Sequence, residues 1–182
     1  MPRYVAFLRA INVGGARTVK MDVLRLAFES LGFSAVSSYI ASGNVIFETP
    51  LRRTLVLENR IEEALMQRLG YDVTPFIRTG PELHDIIAYR AFPKSALAAG
   101  DQVGILFLSA PLSPRLQRAI LAIQTPADEF RVHGREVFWV RHRSAGNAEY
   151  ATLALEKALD QPFTVRSVRT VQKIAEKYFP HG

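Results

Sequence analysis

The chain spells one succession of apolar segments twice, and that repeat limits its folding more tightly than any single motif. In the first half, residues 5–11 (VAFLRAI) are predicted as a strand and 19–32 as a helix. A hairpin over 38–48 (SYIASGNVIFE), a helix over 55–70 and a strand over 72–78 follow. In the second half the strand is 103–109 (VGILFLS), the helix 113–123, the hairpin 128–141, the next helix 147–159 and the last strand 162–166. The ends rhyme at residue level, with LGYDVTPFIRT (69–79) lying over LDQPFTVRSVRT (159–170). Strand–helix–strand–strand–helix–strand is the order of a ferredoxin-like unit. The expected fold class is therefore α+β, a tandem duplication of two ferredoxin-like βαββαβ units plus a C-terminal helix. The first repeat is assigned to 1–91, a linker to 92–102, and the second repeat with its extra helix to 103–182. Each repeat is small for a core of its own, so the two are expected to pack as one globule.

Local signals agree with this order. Met21, Leu24, Phe28 and Leu31 recur at helical spacing before Gly32, and Leu57, Ile61, Ala64, Leu65 and Leu69 before Gly70. Pro81 and Glu82 open a short helix, and Ser167 is placed to cap a final one through Val171, Ile174, Ala175 and Tyr178. The central strands are apolar on both faces, Val5 to Leu8 in one repeat and Ile105 to Leu108 in the other. Helices cover one face of such a sheet, so the other must be covered as well. RNA-recognition domains of the same topology stack bases on an open sheet face. Phe7, Phe47, Phe107, Phe138 and Trp139 read instead as core.

The chain has 182 residues, 48% of them hydrophobic and 22% charged, an ordinary globular balance. It has no cysteine, which excludes disulfides and thiolate metal ligands. The four histidines, His84, His133, His142 and His181, are scattered, and neither a metal nor a cofactor is expected. No apolar run approaches the roughly 18 residues of a membrane span. The short apolar stretch at the N-terminus lacks the features of a signal peptide. A cytoplasmic protein with no membrane association is expected.

The formal charge is +6, a mild basic excess. Arg131, Arg135, Arg141 and Arg143 bunch on one predicted hairpin, and Arg166, Arg169, Lys173 and Lys177 line the final strand and helix. Of these, Arg131, Arg135, Arg141, Arg143, Arg166, Arg169 and Lys173 form a candidate nucleic-acid surface. A solvated basic rim accounts for the same residues.

At LRAINVGG (8–15), LGF (31–33) and YIASGNVIF (39–47) the chain resembles the domain-of-unknown-function 1697 (DUF 1697) family, along nearly its whole length. The resemblance implies a small bacterial α+β protein built of two ferredoxin-like halves. It implies no particular activity. Two departures stand out. Ala10 occupies a position where the family usually has glycine, and VRSVRTV (165–171) stands where the family tends toward TRNWNTV. Arg166, Thr170 and Val171 match; Ser167, Val168 and Arg169 replace the Asn-Trp-Asn stretch, so no role of those side chains carries over.

The run from Arg9 through Asn12, Gly14 and Gly15 to Arg17 leaves a strand and enters a helix, where backbone N–H groups can hold an anion. Gly14 and Gly15 allow a turn and a close approach; Arg9, Arg17 and Lys20 supply charge. It is neither a Walker loop nor a GxGxxG run. A tight connection with Asn12 bonded to local backbone is the competing reading. Ser42, Gly43 and Asn44 form a hairpin tip that turn chemistry explains unaided; beside the Asn12 loop, Ser42 and Asn44 would complete a polar pocket.

No nucleophile–base pair emerges, and the adjacent carboxylates Glu62–Glu63 and Asp128–Glu129 diverge. Catalytic residues are therefore not assigned. Three functions stay open: a non-catalytic binding module for an anionic ligand, nucleotide or nucleic acid, at the 9–20 loop; an enzyme acting there on a small phosphorylated or carboxylated metabolite; and a structural, self-associating protein such as a homodimer.

Overall fold

The computed structural model describes residues 1–11, 18–142 and 148–180. It is a mixed α+β structure with two four-stranded antiparallel sheets and, among the described residues, six α-helices. The first half contains β1 (Arg3–Leu8), α1 (Met21–Glu29), β2 (Ser34–Ser38), β3 (Asn44–Glu48), α2 (Thr54–Leu69), β4 (Pro75–Thr79) and α3 (Gly80–Ala88). The second contains β5 (Gln102–Phe107), α4 (Pro114–Ala122), β6 (Asp128–His133), β7 (Glu136–Arg141), α5 (Ala148–Leu159), β8 (Thr164–Ser167) and α6 (Val168–Tyr178). One 3₁₀ turn, Lys94–Ala96, lies in the stretch joining them. The chain forms two compact units, Met1–His84 together with the residues from Lys173 onward, and Asp85–Gln172. Among the described residues no helix is long and apolar enough to cross a membrane.

Both halves run strand, helix, strand, strand, helix, strand, helix. The final helix thus holds the same place in the element order as α3. The sheet orders correspond, β2-β3-β1-β4 and β6-β7-β5-β8. Both closing helices begin with a hydroxyl cap. The Thr79 N–H donates to Glu82 Oε2 (2.8 Å) while Thr79 Oγ1 accepts from the Glu82 N–H (3.4 Å), a capping box. Ser167 Oγ accepts from the Thr170 N–H at 3.1 Å, so Ser167 caps α6 as its sequence position indicates.

Several strand boundaries differ from the sequence reading by up to a few residues, and two of the shifts have a visible backbone cause. The strand expected over 5–11 ends at Leu8, because the backbone turns at Ala10 with φ 62. A left-handed alanine costs about 1–2 kcal/mol, which gives a backbone reason for glycine at this position. The first strand of the 38–48 hairpin lies earlier, at Ser34–Ser38, and residues 39–43 form the turn. Ile40 with φ 50 and the Tyr39 N–H donating to Asn44 O (3.0 Å) close it.

Side-chain alternation along β1 and β5 puts successive residues on opposite sheet faces. In the first half Ala6, Leu8 and Phe47 pack with Phe28 of α1 and Leu57, Ile61 and Leu65 of α2. Tyr4 and Phe33 stack on the Phe47 ring at 5.6 and 4.8 Å, and Phe28 meets it edge-on at 5.3 Å. In the second half Leu106, Leu108, Phe130 and Val137 pack with Ile120 of α4 and Leu155 and Leu159 of α5. On the reverse faces Val5, Phe7, Ile46 and Phe76, and Ile105, Phe107 and Phe138, are also buried. Phe7, Phe107 and Phe138 therefore offer no stacking platform for bases.

Those reverse faces also carry one arginine each. Arg78 pairs with Val5 and Arg166 with Ile105, the same register position in the two sheets. Arg78 is fully buried and Arg166 is 9% exposed. Each guanidinium bonds the preceding carbonyl, Ile77 O and Val165 O, at 2.8 Å. Arg166 also donates to Thr164 Oγ1 at 2.8 Å. Burial pushes its guanidinium down to about 10, still protonated at neutral pH.

Candidate functional site

The structure describes part of the sequence-derived site and the turn beside it. Residues Asn12, Gly14, Gly15 and Arg17 lie outside the described residues; Arg9, Lys20, Ser42 and Asn44 lie within them. Where β1 ends, the Leu8 N–H donates to Gly43 O at 2.8 Å and the Arg9 N–H to Thr74 O at 2.9 Å. The 39–44 turn is thereby joined to the strand exit. Gly43, with φ 72, leaves no room for a side chain, because a Cβ there would sit 2.9 Å from Ile11 Cβ. Asn44 is buried and donates through Nδ2 to Tyr39 O and Ser42 Oγ, both at 2.9 Å. Its amide therefore organises the turn, and Ser42 is held by it. Arg9 is half-buried and Lys20 exposed on either side of the undescribed stretch.

The proposed basic surface divides on inspection. Arg166 is buried, so it stands apart from the exposed cations: its place on the inner register of β8 was not visible from charge spacing. Arg143 lies outside the described residues. Arg131 is engaged by Glu129 (3.3 Å), Gln124 Oε1 (3.3 Å) and Phe130 O (2.9 Å), and lies over the Phe92 ring. Arg135 donates to Ser109 O at 3.4 Å. Arg169 and Lys173 are exposed on α6, and Arg141 is half-buried at the end of β7.

Sequence spacing missed one polar cluster. His142 Nε2 lies 3.1 Å from Glu129 Oε1 and Nδ1 lies 2.8 Å from Asp101 Oδ2. Asp101 also accepts from the Ala98 N–H at 2.9 Å. The bonds to Glu129 and then Asp101 hold the imidazole above its usual range, favouring imidazolium. These three residues are 13 and 41 positions apart, so linear spacing gave no hint of them. Neighbouring Asp128 accepts from Trp139 Nε1 at 2.7 Å, which turns the two adjacent carboxylates to different partners. Among the described residues no group of side chains is arranged to hold a metal ion.

A family model described as protein of unknown function (DUF1697) matches residues 1–138. The chain belongs to this family. Among solved structures it is similar to a conserved bacterial protein of Streptococcus pneumoniae, at 22% identity and a TM-score of 0.70. The alignment covers 96% of this chain and 97% of that one, and at this identity the likeness concerns the fold. No curated protein matches. Membership of the family thus brings no activity with it, and function has to be argued from the residues.

Proposed function

We propose that this DUF1697 protein is a non-catalytic binding module for an anionic ligand, a nucleotide or nucleic acid, held at the connection from Arg9 to Lys20. The observation that carries this reading is the fixed seat at the β1 exit. Leu8, Ile11 and Gly43 lock the strand end to a polar turn whose geometry Asn44 sets in advance. Arg9 and Lys20 put cationic side chains on either side of that seat, and a preformed site lowers the cost of binding. Buried aromatics on the sheet favour recognition of phosphate over stacking of bases. We further read the halves as duplicated ferredoxin-like units, supported by matching element order, strand order and arginine register. A bacterial cytoplasmic setting is part of the same proposal.

The test is a thermal-shift series with nucleotides and short RNA and DNA at two salt concentrations, since a ligand specific to the native state raises the melting temperature. The reading expects a salt-sensitive shift that Arg9→Ala and Lys20→Ala each diminish. Absence of any shift, or one indifferent to salt and to both substitutions, refutes it.

A further inference from the structure

In the first unit an aromatic ring of the protein lies where the second unit leaves space. Strand pairing fixes the correspondence. Tyr4 opposes Phe47 on one side and Thr79 on the other; Gly104 opposes Trp139 and Ser167. Tyr4 is 2% exposed, its ring stacked on Phe47 and its hydroxyl donating to Leu51 O at 2.8 Å. Gly104 brings no side chain, and Trp139 stays half-exposed. The next position on the edge strand reports the same difference: Ile77 is 0% exposed and its counterpart Val165 is 36% exposed.

The result is a groove of about 850 Å³ in the second unit. Gly104, Trp139, Val165, Arg141, Ser167 and Arg169 are among the residues that line it. Its size falls within the range of small-molecule sites. Gly104 has no left-handed φ, so the backbone does not require glycine there. Glycine inside a strand weakens the strand and commonly marks a place where another group comes close; here that group is Val165, whose Cγ1 would lie 3.1 Å from a Cβ at Gly104. Asp101 also lines the groove, but its carboxylate is engaged by the Ala98 N–H and His142. Arg141 and Arg169 place two cationic side chains in the same lining as the indole.

We propose that this groove binds a small planar aromatic acid, its ring over Gly104 against Trp139 and its carboxylate or phosphate on Arg141 and Arg169. The external ring takes the place that Tyr4 occupies in the first unit. An offset or tilted approach to the indole suits the ring electrostatics, and a guanidinium fork matches either acid group. This site is separate from the 9–20 connection and stands or falls without it.

Trp139 is the sole tryptophan, so its indole N–H gives one resolved resonance that reports on the groove. The full chain is titrated with 4-hydroxybenzoate and, in parallel, phenyl phosphate; phenol and acetate supply the ring and the acid separately. The proposal expects one or both acids to shift that resonance with a Kd of about 1 mM or tighter. Phenol and acetate should bind at least about tenfold more weakly. The stronger of the two acids tells whether a carboxylate or a phosphate is the better fit. Gly104→Tyr, which returns a ring to the position, should abolish the shift. Arg141→Gln combined with Arg169→Gln should weaken acid binding by about tenfold or more. The double variant keeps the test available should Gly104→Tyr disturb the strand. No shift with either acid, phenol binding as well as the acids, or an unchanged Kd in the double arginine variant overturns the proposal.

Discussion

The two halves of this protein share a frame and differ in how one face of it is finished. In both, a central strand pairs with the strand carrying an aromatic residue and with an edge strand carrying a buried arginine. Arg78 and Arg166 occupy one register position and make the same bond to the preceding carbonyl. At one end of the helix-facing side the likeness stops. Tyr4 closes the first sheet over Phe47, whereas Gly104 leaves Trp139 and Val165 accessible. The lesson is that two sheets of the same strand order, each with a buried arginine, can differ in whether one end is filled by a ring or left as a groove. Turns differ as well: the first half uses the five residues 39–43, fixed by Asn44, and the second a two-residue link with Gly134 at φ 58.

That contrast can be broken most forcefully at Tyr4. Tyr4→Ala removes a buried ring and its hydrogen bond, and should cost about 3–5 kcal/mol in denaturant unfolding. A loss near zero would mean that the ring is not closing the first unit. Next in size, Asn44→Ala strips the turn of two bonds from a buried amide and should destabilise by about 1–3 kcal/mol. If Asn44 instead acts mainly on a ligand, stability will stay put while binding at the 9–20 connection falls.

Gly104→Ala sharpens the comparison from the other side. A Cβ would lie 3.1 Å from Val165 Cγ1, but that side chain borders open space and has room to turn. Removing a glycine from a strand offsets part of the crowding, so the net change should stay within about 1 kcal/mol. A large loss would show that the groove floor is as tightly packed as its counterpart.

The smallest effect concerns His142, bridged to Glu129 and Asp101 only in the second half. Its folded value lies above that of the unfolded chain, so its stabilising contribution is fully present below about pH 6.5. It is lost as pH rises through the higher folded value. Unfolding midpoints of the protein and of His142→Gln should therefore converge as pH increases from 6 to 8. Midpoints that separate further with rising pH would contradict the bridge.

Much of the frame was legible because it rests on local rules. The spacing of Leu57, Ile61 and Leu65 marked α2, and the apolar runs at 5–8 and 105–108 marked strands buried on both faces. Ser167 was readable as a cap. Two of the boundaries that moved depend on single torsions, φ 62 at Ala10 and φ 50 at Ile40, which alanine and isoleucine do not advertise. Arg166 counted as surface charge in the sequence because β8 is short and its inner register depends on pairing with Ile105. The His142 cluster and the Tyr4–Gly104 contrast were hidden for the same reason: both are set by strand pairing between distant segments. The candidate site was legible as a polar, glycine-containing connection, but the role of Asn44 as the organiser of its neighbouring turn needed geometry.

The most direct measurement is acrylamide quenching of the fluorescence of Trp139 in the native chain and in Gly104→Tyr. An open groove predicts efficient quenching in the native chain and a several-fold smaller quenching constant once a tyrosine ring covers the indole as Tyr4 covers Phe47. Equal quenching in the two proteins, or an indole shielded in the native chain, would contradict the claim that the halves differ by one missing ring.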